Sequence, residues 1–144
     1  MAMEAAREFL GRARSLQREI ENKERRIQTL RDMAESTTGK MSDMPRSDSP
    51  NLQRMETVLC KAADLEMEMT EDQARLDGIK EEITAAIGEL TDYREQEVLF
   101  HRYVKCLSWA QVFSECGYSE RSVFRFHDSA VERIAAYLRE TQYK

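Results

Sequence analysis

The chain has 144 residues, of which 41% are hydrophobic and 34% charged, with only five Gly and two Pro. That balance describes a helix-rich protein with a narrow core and excludes a large globular interior. The net charge of -5 excludes uniform coating of nucleic acid, because non-specific duplex binding rests on Lys and Arg neutralising phosphates, so any such contact must be local.

From Ala2 to about Met33 the apolar positions are Ala2, Ala6, Phe9, Ala13, Leu16, Ile20, Ile27 and Leu30, with Ala34 beyond. They fall four and three apart with Lys23 as the polar interruption, which predicts a helix carrying a heptad seam. Residues 35–51 lack apolar periodicity, are rich in Ser, Thr, Asp and Met, and include Gly39 and Pro45; they predict a flexible connection. Ser49-Pro50 reads as a cap followed by a first-turn proline, starting a second helix. Its seam runs Met55, Val58, Ala62, Leu65, Met69, Asp72, Leu76, Ile79, Ile83, Ala86, Leu90 and Tyr93.

Residues 1–34 carry eight Lys or Arg against six acids, and residues 52–93 carry four against eleven. Opposite charge and facing seams predict that the two helices fold back on each other as an antiparallel, coiled-coil-like hairpin over residues 1–93. A parallel homodimer is the competing arrangement. Lys23 and Asp72 interrupt the two seams and are read as solvated charges at the core edge rather than as a direct pair.

After Tyr93 three short helices are expected in residues 94–144. Arg94 to about Val104 places Val98, Leu99 and Tyr103 inward. Ser108-Trp109-Ala110-Gln111 is a capping box that starts the second, with Leu107 and Val112 as a hydrophobic staple. Gly117 ends it, and Ser119 caps the third, with Tyr118 and Val123 as a further staple. Val123, Phe126, Ala130, Ile134 and Tyr137 or Leu138 form the inner face of that last helix. The fold class expected is therefore all-α: a long N-terminal hairpin followed by a three-helix, helix-turn-helix domain.

Leu99-Phe100-His101-Arg102-Tyr103, Ser108-Trp109-Ala110-Gln111-Val112, Gly117-Tyr118-Ser119-Glu120-Arg121-Ser122-Val123 and Ala130-Val131 resemble region four of bacterial sigma factors, which reads the -35 promoter element. Over about residues 90–138 the chain is similar to the ArpU and RinA groups of phage late transcription regulators; for the N-terminal half the likeness is one of architecture. The resemblance implies base-facing roles for Glu120, Arg121, Ser122, Phe124 and Arg125, and DNA-backbone roles for Arg102, Lys105 and Ser119. Arg121 or Arg125 would bind guanine bidentately, as residues at the start of a recognition helix do. Two positions depart from the pattern: Phe113 stands where a small residue is usual at the helix crossing, and Asp128 where a basic one is common.

Enzymatic signatures are missing: there is no G-x-x-x-x-G-K-[ST] and no H-E-x-x-H, so no catalytic residue is expected. Cys60, Cys106 and Cys116 form no C-x-x-C pair, which disfavours a disulfide framework and suits a reducing cytoplasm. Cys106, Cys116, His101 and His127 match no zinc-finger spacing, and the acidic run Glu66, Glu68, Glu71 and Asp72 lacks a Glu-x-x-His partner; neither metal nor cofactor is expected. No apolar run approaches the roughly 20 residues of a membrane span, so no membrane contact is expected. Trp109 is read as a core anchor, and Phe124 as either a thymine-methyl contact or a protein contact. The function expected is sequence-specific transcription regulation by a phage or prophage protein that binds double-stranded DNA through Ser119 to His127, with the hairpin contacting RNA polymerase or forming a homodimer. The alternatives are a small-terminase-like packaging protein and a coiled-coil adaptor or inhibitor that binds a host protein.

Overall fold

The computed structural model describes residues 2–41 and 50–142, with side chains for 2–36 and 52–141. Among the described residues every regular element is helical: α1 (Ala2–Met41), α2 (Pro50–Gly88), α3 (Tyr93–Leu99) running into a π-helical turn (Phe100–Val104), α4 (Trp109–Cys116) and α5 (Glu120–Gln142). By contacts the chain forms two compact units, Arg18–Arg75 on the one hand and Met1–Gln17 with Leu76–Lys144 on the other. Among the described residues no helix is long and apolar enough to cross a membrane.

α1 continues through Met41, so the first seven residues of the expected connection are helical. Loss of the apolar stripe ends burial there and leaves helicity intact: Ala34 is buried, whereas Glu35 and Ser36 are exposed, and no proline interrupts the backbone ladder before Pro45. The remainder of the connection, with the Ser49 cap, lies outside the described residues. Pro50 is the first helical residue of α2, where its missing N–H leaves no bond unmade.

Within Arg18–Arg75, Ile27, Ala62 and Leu65 form one buried cluster, flanked by Leu30 and Met69. Ile20, Ala34 and Val58 are buried as well. Lys23 pairs with Asp72 at 2.5 Å and with Glu68 at 3.5 Å, and Arg31 pairs with Glu66. Partner numbers fall along α2 as they rise along α1, which makes the pairing antiparallel. Contrary to the sequence expectation, Lys23 and Asp72 are a direct pair. The Asp72 side chain is only 3% exposed and also meets Arg75. A carboxylate stripped of water at a seam is destabilising unless partnered, and two cations on one acid meet that need. The hydrogen bond from Lys23 holds the Asp72 carboxyl below its ordinary range and raises the ammonium in return.

In the other unit, Ala6, Leu10, Ala13 and Leu16 of α1 and Leu76, Ile83, Ala86, Ile87 and Leu90 are buried. Leu10 is fully buried beside a partly exposed Phe9, so the buried stripe is wider than a two-position heptad seam. α2 stops at Gly88, and the amides of Glu89 and Leu90 bond back to Ala86 and Ile87. Asp92 then caps α3, its side chain accepting from the Arg94 amide at 2.9 Å. That break resets the helical phase. Tyr93, expected at the end of the second seam, is 68% exposed as a result.

α3, α4 and α5 close around Val98, Val112, Val123 and Phe126, with Leu107, Trp109, Phe113, Cys116 and Tyr118 packed against them. Ala130, Val131, Ile134 and Ala135 continue the buried face of α5, at about 1.5–3 kcal/mol for each large aliphatic chain removed from water. Glu95 on α3 is 3% exposed and lies 3.1 Å from the Arg133 Nε on α5. The contact is ionic, and the buried Oε2 takes no hydrogen bond among the described residues.

Candidate nucleic-acid interface

The site is built by punctuation. The Ser108 amide donates to the Gln111 carboxamide at 2.9 Å while the Ser108 hydroxyl accepts from the Gln111 amide at 3.3 Å, so the expected capping box starts α4. Gly117 adopts φ +73° and its amide bonds to Phe113 O at 3.0 Å, a left-handed stop that suits glycine, which has no Cβ to clash. The Ser119 hydroxyl accepts from the Ser122 amide at 3.2 Å and starts α5 three residues after α4 ends. Leu107 and Tyr118, the outer halves of the two staples, pack on the cluster that contains Val112 and Val123.

These caps fix the face of α5. Val123 and Phe126 turn inward, whereas Glu120, Arg121, Phe124 and Arg125 are exposed and Ser122 is half-buried. Arg125 passes over the Phe126 ring at 5.4 Å. Arg121 and Arg125, four apart on one helix face, are thus the accessible cations of the first two turns of α5. Ser119 is occupied with capping, and its hydroxyl also bonds that of Ser122 at 3.0 Å. His127, at the end of the segment expected to face DNA, is buried.

Phe124, although 41% exposed, meets Trp109 and Phe113 edge-to-face at centroid distances of 5.0 and 5.5 Å. Phe113 stacks beside Trp109 at 6.4 Å. The bulky residue at the helix crossing is therefore absorbed by an aromatic cluster spanning α4 and α5. Trp109 anchors that cluster, with His127 edge-on at 5.0 Å.

Arg102 is half-buried. Its guanidinium lies 4.4 Å from the Trp109 ring and donates to Leu107 O at 3.0 Å. Arg14 of α1 donates to the same carbonyl at 3.1 Å, a brace on the start of α4 that no local sequence signal announces. Lys105 is exposed beside Phe100. It follows the π-helical turn, where its amide bonds to Phe100 O and the Leu107 amide bonds to His101 O; Cys106 then takes φ +59°, a conformation that favours glycine.

Burial shifts titratable groups inside the trihelix, among them His127 and Cys116. Burial lowers the His127 pKa, so the ring is neutral at neutral pH. Its Nδ1 faces the Asp128 carboxylate at 3.3 Å and its Nε2 lies 2.5 Å from the Tyr103 hydroxyl. A neutral ring that donates from Nδ1 accepts the Tyr103 proton at Nε2. Burial, with Glu97 and Glu115 nearby, pushes the Cys116 thiol up to about 11. Comparison with protein-family models, curated proteins and solved structures gives no match.

Proposed function

We propose that this chain is a sequence-specific DNA-binding transcription regulator in which α4, the Gly117–Ser119 turn and α5 act as a helix-turn-helix. Arg121 and Arg125 read base edges in the major groove, and Lys105 contacts phosphate. Arg102 and Phe124 hold the reading helix in place from within the fold, and Ser119 caps it. The paired long helices are the surface for a second copy or for RNA polymerase. The observation that supports this best is the exposure of Arg121 and Arg125 on the outer face of a helix whose start is fixed by three successive caps and turns. Residues 94–144 carry eight Lys or Arg against seven acids, so affinity comes from placement rather than net charge.

The test is binding of wild type, Arg121→Ala, Arg125→Ala and Lys105→Ala to a selected duplex and to random duplex across a salt series. A base-reading arginine should be worth about 1–3 kcal/mol at the selected site, while Lys105→Ala should weaken all sequences alike and reduce the salt slope by about 1. Wild type that prefers no duplex, or arginine variants that bind as wild type does, would pass the face to a protein partner instead.

A further inference from the structure

Glu97, His101 and Cys116 are scattered in sequence but meet in the fold. A Glu97 carboxylate oxygen, a His101 ring nitrogen and the Cys116 Sγ all lie within 4.8 Å of one another, and all three residues are half-buried. Three points no farther apart than this have a common centre within about 2.8 Å of each, that is 4.8 Å divided by √3. Zinc takes nitrogen at about 2.0–2.1 Å, carboxylate oxygen at about 2.0–2.2 Å and thiolate sulfur at about 2.3 Å. Side-chain adjustments of less than about 1 Å therefore bring all three donors to bonding distance.

Four further features mark the place. His101 Nδ1 is buried and has no hydrogen-bond partner among the described residues, an unmet need that a ligand, or a change of tautomer on binding one, would answer. Glu97 accepts from the Tyr118 hydroxyl at 3.2 Å, the kind of outer hydrogen bond that orients a ligating carboxylate. His101 sits in the π-helical turn, a distortion that recurs at functional sites because it re-aims one turn of side chains. Glu115, next to Cys116, adds negative charge.

We propose that Glu97, His101 and Cys116 bind one zinc-class divalent cation, the metal displacing the Cys116 thiol proton to solvent and the fourth position being left to water. The N, O and S donor set suits this borderline-soft ion better than Mg²⁺ or Ca²⁺, which take oxygen. Such an ion clasps the end of α3 and the π-helical turn to the last residue of α4, immediately before Gly117, and so braces the α4–α5 turn. The site stands whether or not the chain reads DNA.

The probe is Co²⁺, added to the full chain kept reduced, with absorbance as the readout. One equivalent should produce a thiolate-to-cobalt charge-transfer band together with visible bands of tetrahedral intensity, and excess Zn²⁺ should erase both. Cys116→Ser should abolish the charge-transfer band. His101→Gln and Glu97→Gln should weaken cobalt binding at least as much as Tyr118→Phe, which should weaken it about 10- to 100-fold as outer-shell losses do. Cys60→Ser and Cys106→Ser should leave the spectrum unchanged. Circular dichroism checks each fold, and if Cys116→Ser is unfolded, His101→Gln decides. The absence of a charge-transfer band in wild type, its survival in Cys116→Ser, its loss in Cys106→Ser or Cys60→Ser, or unaltered binding in a folded His101→Gln would each overturn the proposal.

Discussion

The paired helices of Arg18–Arg75 and the trihelix of α3 to α5 solve the same problem by different means. The pair buries a thin stripe in which one contact is an alanine, Ala62, and adds cross-helix charge: Lys23 to Asp72 and Glu68, and Arg31 to Glu66. The trihelix buries a closed cluster of Val98, Val112, Val123 and Phe126, and rims it with Trp109, Phe113 and Tyr118. A two-helix interface has solvent on both flanks, so fewer apolar chains cover one another there; the exposed Arg31–Glu66 pair contributes little, whereas the buried Asp72 requires its two cations. A third helix removes that flank. The trihelix is expected to hold its shape through packing, and the pair through length and charge.

The largest expected effect lies where α2 enters the second unit. Leu76 is 1% exposed, and Leu76→Asp places an unpaired carboxylate among apolar chains, at more than about 4 kcal/mol. Thermal denaturation followed by circular dichroism should show lost helix and a lower midpoint; an unchanged curve would mean that this face of α2 tolerates water. Next come truncations that set the two regions side by side. Ile134→Ala, at a fully buried site, should cost about 2–5 kcal/mol by urea denaturation, and Leu65→Ala, 8% exposed between two helices, should fall at or below the low end of that range, because the site can collapse or admit water. Equal costs would break the comparison. Smaller again is Ser108→Ala, which removes the α4 cap for about 1 kcal/mol and should lower the midpoint of the trihelix while leaving the Arg18–Arg75 pair in place.

What was legible in the sequence tracks the range of the interactions. The capping box at Ser108, the left-handed Gly117, the Ser119 cap and the inward set Val123, Phe126, Ala130 and Ile134 are local or strictly periodic, and they stand as read. Boundaries were less legible. α1 outlasts its apolar stripe, and α2 stops at Gly88 because Asp92 offers a new start, which turns Tyr93 outward. Leu10 escaped a two-position template that already held Phe9. Lys23 and Asp72 were visible as opposed interruptions of two seams, yet only register decides that they touch. The π-helical turn, the Arg14 brace and the Glu97, His101 and Cys116 group depend on long-range packing. For the group, the i, i+4 spacing of Glu97 and His101 was the available signal, and it names no third ligand.

The smallest expected effect is a difference in acid sensitivity, and it separates the two regions most cleanly. In the Arg18–Arg75 pair the titrating group is Asp72, whose pKa is lowered below 3.8, first by the Lys23 hydrogen bond. Its stabilisation is complete above about pH 3.8 and is lost only as pH falls from there through the depressed folded value. In the trihelix the group is His127, lowered below 6.5 by burial, with Arg102 and Arg7 adding to the effect and Asp128 opposing it. Between the folded value and 6.5 the unfolded chain takes up a proton that the folded ring refuses, so stability is complete above about pH 6.5 and declines below it. Tyr103 stays protonated throughout, its pKa raised by burial. Trp109 is the chain's single tryptophan and lies 5.0 Å from the His127 ring, so its fluorescence reports this region by itself. Urea midpoints read from Trp109 should fall between pH 7 and 5, in a range where Asp72 does not titrate. His127→Gln should flatten that slope; the acid limb below pH 4, followed by circular dichroism of the long helices, should survive in His127→Gln and flatten in Asp72→Asn alone. A tryptophan midpoint independent of pH between 7 and 5 in wild type would mean that His127 accepts its proton in the folded state, and the packing around Trp109 would then be looser than its ring contacts require.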